Sequence, residues 1–373
     1  MKQIKVFVDC HVFDNGFQGT RTHLQEIYQQ LIKDDTFKFY FAANNIKNLE
    51  SIFGKGSNII YVEYKYYNKF LRLLFDIPAI IKKHQIDYAH FQYIVPPIKK
   101  CKYIVTTHDL LTIDFPAYFP RLFRLKTYLL YKHGMKKADI KLTVSQYSKQ
   151  KIKEHFQYDN VYITPNAISD IFYENYNKTT LKEEVKQRFN INKYIIYISR
   201  WEPRKNHQLV LKAFIDLKLY SEYHLVFIGD QSIENKEYSD MYKHLDDEIK
   251  NKIITMRKTD FKTMLTLLRG ANASVYPSIA EGFGIPPLES LAAKIPTICS
   301  NATAMSDFDY MEDFLFDPNN QEQFNNKLKM ILENDFSCHF EKLSCLTKEK
   351  YNWITSANIL RTCILNKEKG EEI

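Results

Sequence analysis

Ser278-Ile-Ala-Glu281-Gly282-Phe283-Gly284-Ile285-Pro286-Pro287-Leu288-Glu289 is the stretch on which the reading of this chain turns. Two carboxylates stand eight positions apart, with a Gly-x-Gly turn between them and a proline pair after it. Upstream, Ala273-Ser-Val-Tyr-Pro277 reads as a short buried strand. Downstream, residues 288–293 read as a helix, and Pro286 and Pro287 suit its first turn, where a missing N–H costs little. The stretch is therefore strand, glycine turn and helix N-terminus. Such an end offers backbone N–H groups and a partial positive charge, which favour a phosphate or another oxygen-rich ligand. The glycines let backbone approach that ligand closely. Glu281 on the turn and Glu289 about one turn into the helix are both placed to accept hydrogen bonds from its hydroxyl groups. A molecule that carries phosphates and several hydroxyls is a nucleotide sugar.

At 373 residues the chain is too long for one ordinary core, and two domains are expected. The richness in Lys, Asn, Ile and Tyr carries no functional information. Six cysteines (Cys10, Cys101, Cys299, Cys338, Cys345, Cys363) lack CxxC spacing, so reduced thiols are expected rather than disulfides or zinc ligands. No signal peptide precedes the first apolar strand, and no apolar run approaches the length of a membrane span. The expectation is a cytoplasmic protein. Charge is uneven: residues 1–150 hold 23 Lys+Arg against 12 Asp+Glu, while residues 151–373 hold 29 against 32. The basic half is expected to meet something anionic.

Apolar runs of strand length alternate with helical stretches. The strand candidates are 4–10, 38–43, 58–64, 87–93, 102–107, 140–144 and 161–164, then 194–199, 224–229, 252–256, 273–276 and 296–300. Helices fit between them, for example at 21–31, 207–217, 261–269 and 287–293. Near-continuous apolar strands alternating with helices mean α/β architecture, with parallel sheets covered on both faces. Two such sets in series mean two Rossmann-like domains, with a linker expected near 175–193. Ligands of such sheets bind beyond the C-terminal strand ends, which places the expected site in a cleft between the domains.

The second half resembles a family 4 retaining glycosyltransferase of GT-B fold. The resemblance rests on motifs in order: Tyr197-Ile-Ser-Arg200-Trp-Glu-Pro-Arg-Lys205-Asn206, Leu225-Val-Phe-Ile-Gly229-Asp230, Asp260-Phe-Lys-Thr-Met-Leu265 through Ala271, the pair Glu281 and Glu289, and Ser300-Asn301-Ala-Thr-Ala-Met-Ser306. Tyr351-Asn-Trp353 opens what looks like the closing helix. The first half matches through Gly16-Phe-Gln-Gly19-Thr-Arg21 and Thr107-His108-Asp109. The resemblance implies an acceptor-side domain at 1–175, a nucleotide-sugar domain at 190–355 and a C-terminal helix and tail at 356–373 returning to the first domain. It further implies transfer of a hexose (mannose, glucose or a deoxyhexose) to a saccharide or lipid-linked glycan in surface polysaccharide synthesis, with no metal and no cofactor beyond the nucleotide sugar.

Arg200 and Lys205 follow a strand and precede a helix, where two cations neutralise a departing diphosphate. A solvated basic loop is the alternative, since Arg204 is adjacent. The family carries Gly where this chain has Ser199, a departure that narrows the phosphate pocket. The resemblance implies that Glu289 binds ribose hydroxyls and that Glu281 meets the donor sugar near the reacting centre. A carboxylate stabilised by the helix dipole is the plainer reading. Backbone groups of Gly282, Phe283, Gly284 and Ile285 complete the expected donor site. His108, at a strand end, is expected to bond a sugar hydroxyl as a catalytic group, against the alternative of a histidine satisfied within its domain; His11 is a second candidate. Gly16, Gly19, Thr20 and Arg21 open the first helix and read as a diphosphate or acceptor loop, or as a plain cap.

Asp307-Phe-Asp309 spells a metal-binding string, but it sits on a turn downstream of the glutamates and is read as a decoy; no metal is expected. The stretches 121–137 and 66–75 mix cations with large apolar side chains at helical spacing, which suits either an anionic membrane surface or a core face with a solvated face. A lipid-linked acceptor at an inner leaflet would need such a surface. Two other classes stand beside the enzyme. A nucleic-acid-binding protein would account for the basic half but leaves the glutamate pair unexplained. A catalytically inactive sugar-nucleotide-binding subunit would retain the same motifs.

Overall fold

Strand formation follows the apolar runs closely. In the computed structural model, which describes residues 3–14 and 19–371, the first seven strands are β1 (Ile4–Asp9), β2 (Phe37–Ala43), β3 (Ile59–Glu63), β4 (Tyr88–Gln92), β5 (Lys102–Thr106), β6 (Ile140–Thr143) and β7 (Val161–Ile163). Six more follow: β8 (Tyr194–Ile198), β9 (His224–Ile228), β10 (Ile253–Met256), β11 (Ala273–Tyr276), β12 (Thr297–Ser300) and β13 (Leu315–Phe316). β13 has no counterpart in the expected set; two residues are too few for a readable run. Residue Gly16 lies outside the described residues.

The strands form a seven-stranded sheet in the order β3-β2-β1-β4-β5-β6-β7 and a six-stranded sheet in the order β10-β9-β8-β11-β12-β13. All the pairings are parallel. Every residue of β4, β11 and β12 is buried, as expected of sheets covered by helices on both faces. In each sheet the order reverses once, between β1 and β4 and between β8 and β11. Ligands of such sheets bind at the carboxyl ends beside these reversals. His11 follows β1 and Gln92 ends β4; Arg200 follows β8 and Glu281 follows β11.

The chain divides into two compact units, residues 1–166 with 352–373, and residues 167–351. The expected linker at 175–193 is mostly helix: Lys178–Phe189 is capped by the Asn177 side chain, which accepts from Thr180 N at 3.1 Å. Its Val185 is fully buried, and it packs on the Phe261–Gly270 helix of the second unit. The stretch reads as linker because its buried apolar residues, Val185 and Ile191, are surrounded by Lys, Glu and Asn. The two compact units divide at Asn166/Ala167, upstream of the expected linker.

The C-terminal helix Trp353–Lys369 belongs to the first unit and packs on the Gly19–Leu31 helix. Asn352 caps it, accepting from Thr355 N at 2.8 Å. Leu360, Cys363 and Ile364 are buried. Arg361 Nε donates to Asp34 at 2.6 Å, Ser356 Oγ to the Pro165 carbonyl at 2.6 Å, and Tyr88 Oη to Glu368 at 2.7 Å. The first unit is thus closed by the last helix of the chain. Removing residues 352–373 is expected to unfold the first unit while the second keeps its own transition, seen as loss of the corresponding calorimetric peak and as protease digestion confined to the N-terminal half. Leu360→Ala, a milder cut into the same seam, should cost about 2–5 kcal/mol, measured by denaturant titration.

Candidate active site

Two loops of the second unit carry most of the residues singled out above. One leaves β8 and passes through a short 3-10 turn, Pro203–Lys205, into the His207–Asp216 helix. Trp201 stacks on His207 at 4.0 Å between ring centroids, and Ser199 Oγ lies 3.2 Å from His207 Nε2, which seats the loop on its helix. The other leaves β11 and enters the Ile285–Ala292 helix. Gly284, at the N-cap of that helix, has φ +96°, and a Cβ there would lie 2.8 Å from Met305 Cγ. Both the backbone angle and the space require glycine.

The loops are tied together. Ile279 N donates to the Arg204 carbonyl at 2.8 Å, and Arg204 Nη1 donates to the Ala280 carbonyl at 2.6 Å. Arg204 Nη1 also lies 3.3 Å from Glu281 Oε2, and Lys205 Nζ bonds Glu281 Oε1. Tyr197 Oη donates to the Lys205 carbonyl at 2.7 Å from beneath. Burial alone would raise the Glu281 carboxyl, but the adjacent Lys205 and Arg204 charges prevail and hold it down to about 2. Burial lowers the Lys205 ammonium, against the pull of Glu281.

Arg200 differs. Its side chain is 62% exposed, and its only carboxylate neighbour among the described residues is Glu202 at 3.5 Å. Glu202 is itself held by Arg204 Nε at 2.7 Å. The expected pair of phosphate cations is therefore asymmetric: Lys205 is engaged and buried, while Arg200 is extended and available.

Glu289 is the fifth residue of its helix and half-buried. Its carboxylate makes no hydrogen bond or ion pair among the described residues. Burial pushes its carboxyl up to about 7. Pro286 and Pro287 fill the early helical positions, so fewer amides face outward than a helix N-terminus normally offers. The N–H groups of Phe283 and Gly284 make no backbone hydrogen bond among the described residues and lie next to that end. These, with Ile285, are the amides left for a ligand.

Three contributors escaped the sequence reading. In sequence Arg204 is only a sign of a basic loop, yet it binds Ala280, Glu202 and Glu281. Glu202 is buried between the two arginines. Thr303 holds the Glu281 amide through its Oγ1 at 2.9 Å while standing at φ +53°, a rare angle for a β-branched residue. Positive φ leaves no signal in a sequence unless glycine or asparagine marks it. Asp309 of the Asp-x-Asp string pairs with Lys350 at 2.7 Å, and no group of three or more candidate metal ligands occurs among the described residues.

The first-unit candidates form their own set. His108 follows β5, is almost fully buried, and bonds Gln92 through Nε2. His11 Nδ1 lies 3.1 Å from Asp9. Gly19, Thr20 and Arg21 begin the Gly19–Leu31 helix; Thr20 Oγ1 and Arg21 Nε are enclosed without a hydrogen-bond partner among the described residues, and the Arg21 guanidinium sits 5.3 Å from the Phe13 ring centroid.

Known families and relatives match this arrangement. The family model described as "Glycosyl transferases group 1" matches residues 180–353, and that described as "Glycosyltransferase Family 4" matches residues 17–170. The chain is 27% identical over 230 residues to the O-antigen chain mannosyltransferase RfbU of Salmonella typhimurium, covering 61% of this chain and 60% of that protein. It is 26% identical over 258 residues to the O-antigen chain mannosyltransferase B of Escherichia coli, covering 67% of each. The chain thus spans roughly three fifths to two thirds of the length of these curated relatives. The crystal structure of Anabaena Alr3699/HepE in complex with UDP and glucose superposes with a TM-score of 0.72 at 13% identity, over 98% of this chain and 100% of that one.

The two glutamates make opposite predictions for stability. Glu281 has a depressed folded pKa, so its contribution is present above the usual carboxylate range and is lost as pH falls toward about 2. Glu289 has a raised folded pKa, so it destabilises once pH rises above the usual range, fully so past about 7. At pH 8, Glu281→Gln should lower the melting temperature and Glu289→Gln should raise it. Each kcal/mol corresponds to about 2–4 °C for a domain of this size. At pH 4 the Glu289→Gln difference should shrink to near zero. Melting curves of both variants at the two pH values check this.

Proposed function

The chain belongs to the family 4 glycosyltransferases, and on that premise we propose that it moves a hexose, with mannose the first to test, from a nucleotide-diphosphate sugar to a saccharide or lipid-linked glycan, with retention at the transferred carbon. The mannosyltransferase names of the O-antigen relatives and the UDP of the structural neighbour support the sugar and the nucleotide class. The observation that carries the reading is the unpaired, half-buried Glu289 carboxylate one turn into a helix whose entry loop leaves amides unbonded. A ribose diol satisfies such a carboxylate, and a diphosphate satisfies such amides.

Each group then has a role. The exposed Arg200 guanidinium closes on the diphosphate as a fork, and Lys205 shares its charge between Glu281 and the phosphate. Negative charge grows on the diphosphate oxygen as its bond to the sugar carbon breaks; both cations stabilise it there. The acceptor hydroxyl forms the new bond on the same face, and its proton passes to the departing diphosphate. With the leaving group held by cations, the reaction as read needs no metal. Glu281, kept ionised, stands as the carboxylate facing the sugar. His108 of the first unit accepts a sugar hydroxyl, and Gly19, Thr20 and Arg21 serve the diphosphate or the acceptor.

The first unit also carries a surface suited to a lipid-linked acceptor. Leu122, Phe123, Leu125 and Leu129 are exposed on the Arg121–Lys137 helix, Leu122 at 82%. Tyr67, Phe70, Leu71, Leu74 and Phe75 are exposed on a neighbouring segment, Tyr67 at 84%. Lys126 Nζ lies 5.2 Å from the Phe70 ring centroid and joins the two. Exposed apolar side chains among cations match an anionic bilayer surface, so peripheral attachment at the inner face of a membrane is part of the proposal. No helix among the described residues is long and apolar enough to cross a membrane.

Thermal-shift screening against GDP, UDP, dTDP and their sugars, followed by transfer assays with the best binder, tests the enzyme reading; no response to the whole panel would overturn it. Glu289→Ala should raise the donor KM by about tenfold to a hundredfold with a smaller change in kcat. Glu281→Ala should lower kcat by about a hundredfold or more.

Sedimentation with vesicles tests the surface. The protein should pellet with anionic vesicles and not with neutral ones at low salt, and the double change Leu122→Ser, Phe123→Ser should weaken that pelleting.

A further inference from the structure

The first unit holds a buried chain of polar side chains behind His108, and the proposed reaction uses only His108 of it. Gln92, the last residue of β4, stands between two histidines. Its Oε1 bonds His108 Nε2, and its Nε2 lies 3.4 Å from His90 Nε2. His90 Nε2 is also 2.8 Å from Thr106 Oγ1, and His90 Nδ1 is 2.8 Å from Tyr28 Oη. Tyr28, His90 and Thr106 are fully buried, and Gln92 and His108 nearly so.

The donors and acceptors run in one direction. A carboxamide oxygen only accepts, so His108 Nε2 carries the proton it donates to Gln92. The carboxamide NH2 only donates, so His90 Nε2 is bare and receives bonds from Gln92 and from the Thr106 hydroxyl. His90 Nδ1 then carries its proton and donates to Tyr28 Oη. Reversing His108 would set an N–H-free nitrogen against the Gln92 oxygen, with two acceptors facing each other in a dry site.

A second observation shows that the placing of Gln92 is constrained. Tyr93, the next residue, stands at φ +62°, a left-handed angle that costs energy for a bulky side chain. It is held there by its amide bond to the Thr106 carbonyl at 3.0 Å, by stacking on Tyr131 at 4.5 Å, and by Gly134, where a Cβ would lie 2.3 Å from the Tyr93 carbonyl. The kink ends the strand at Gln92 and fixes its backbone.

We propose that Gln92 is a positioning residue for the transfer reaction: it locks His108 as the Nε2–H tautomer, so that the bare Nδ1 serves as a hydrogen-bond acceptor for a hydroxyl of the sugar. His108 Nδ1 makes no hydrogen bond within the described residues and is not among the enclosed unpartnered atoms. The proposal deepens the role given to His108 above and rests on it. The surroundings agree: burial, then the neighbouring His23 and His90, hold the His108 imidazole well below its ordinary range. His23 packs edge-on against His108 at 4.9 Å from the Gly19–Leu31 helix, Tyr93 lies 5.5 Å away on the β4 side, and Asp109 follows in sequence with its carboxylate bonded to Tyr93 Oη and Leu111 N. His23 and His90 are themselves held neutral by burial, at about 4 and about 3. Neutral His108 accepts a bond; it does not act as an acid.

Two arms test this in the whole protein. In the first, 15N-histidine NMR at pH 7, assigned with a His108→Gln variant, reads the tautomer without any substrate. The expected result is a protonated Nε2 and a bare Nδ1 at His108; a protonated Nδ1, or an imidazolium, overturns the proposal. In Gln92→Leu the two tautomers should become mixed, and an unchanged spectrum also overturns it. The second arm uses transfer kinetics. Gln92→Leu should lower kcat roughly tenfold with nucleotide affinity unchanged. Gln92→Glu should add an acid limb to a profile that is flat near neutrality in the parent, because a carboxylate raises the imidazole pKa, and activity should recover above that limb. A flat profile in Gln92→Glu with His108 shown neutral by NMR overturns the positioning role. Failure of every nucleotide sugar to react would sink the transferase reading, while the tautomer arm would stand or fall alone.

Discussion

The ion pair between Glu281 and the Arg204–Lys205 step governs the second unit's site. It joins the loop after β11 to the loop after β8, on either side of the point where the sheet order reverses. A largely buried carboxylate left without its cations is an uncompensated charge, and breaking such a pair costs about 3–5 kcal/mol. The loops are therefore held in one arrangement before any ligand arrives. Preorganised groups lose little freedom on binding and need no reorientation when charge develops. Thr303 stands at an unfavourable backbone angle and accepts from the Glu281 backbone N–H, so the residue is held at its main chain as well as at its carboxylate.

That tie sorts the charges by task. Lys205 and Arg204 are committed to Glu281, whereas Arg200 projects outward with one loose neighbour. The two glutamates diverge in the same way. Glu281 is surrounded by cations and stays ionised; Glu289, with no cation beside it, is pushed toward neutrality by burial. Environments that separate the titration of paired carboxyl groups separate their roles. A carboxyl poised near neutrality changes readily when hydroxyl donors arrive, which suits recognition. In the proposed reaction, a carboxylate fixed as an anion offers a constant field to the sugar.

Most of the architecture was legible because parallel strands covered on both faces are continuous apolar runs. Twelve strand candidates lie within a residue or so of the observed bounds. What failed to show did so for physical reasons. β13 is held by neighbours rather than by its own two residues. Lys178–Phe189 is a helix stabilised by a cap and one buried valine, so its polar composition imitates a linker. The strand, glycine turn and helix entry that carry Glu281 and Glu289 were readable from the residues, as was the turn that carries Lys205 after its strand. The role of Arg204 was not: adjacent cations look alike in sequence, and the turn at Pro203–Lys205 brings Arg204 to Ala280 and Glu281 and Lys205 to Glu281. Gln92 was invisible for a simpler reason, since a lone amide at the end of an apolar strand reads as the strand's stop.

The first unit shows how a histidine can be useful without titrating. Three imidazoles, His23, His90 and His108, lie within one packed region, and a proton added to any of them would be buried beside the others. Burial holds all three imidazoles below their ordinary range, and for a neutral ring the tautomer is the variable that matters. A neutral imidazole has one donor and one acceptor nitrogen, so whatever bonds one side decides what the other side does. Gln92 is suited to this because its carboxamide has a donor end and an acceptor end and carries no charge. A carboxylate in its place would draw a proton onto the ring, and an apolar side chain would leave the ring free to choose. A reaction in which the departing diphosphate itself takes the acceptor's proton has no need of an imidazolium. It needs a fixed acceptor that keeps a sugar hydroxyl oriented while the neighbouring bond breaks.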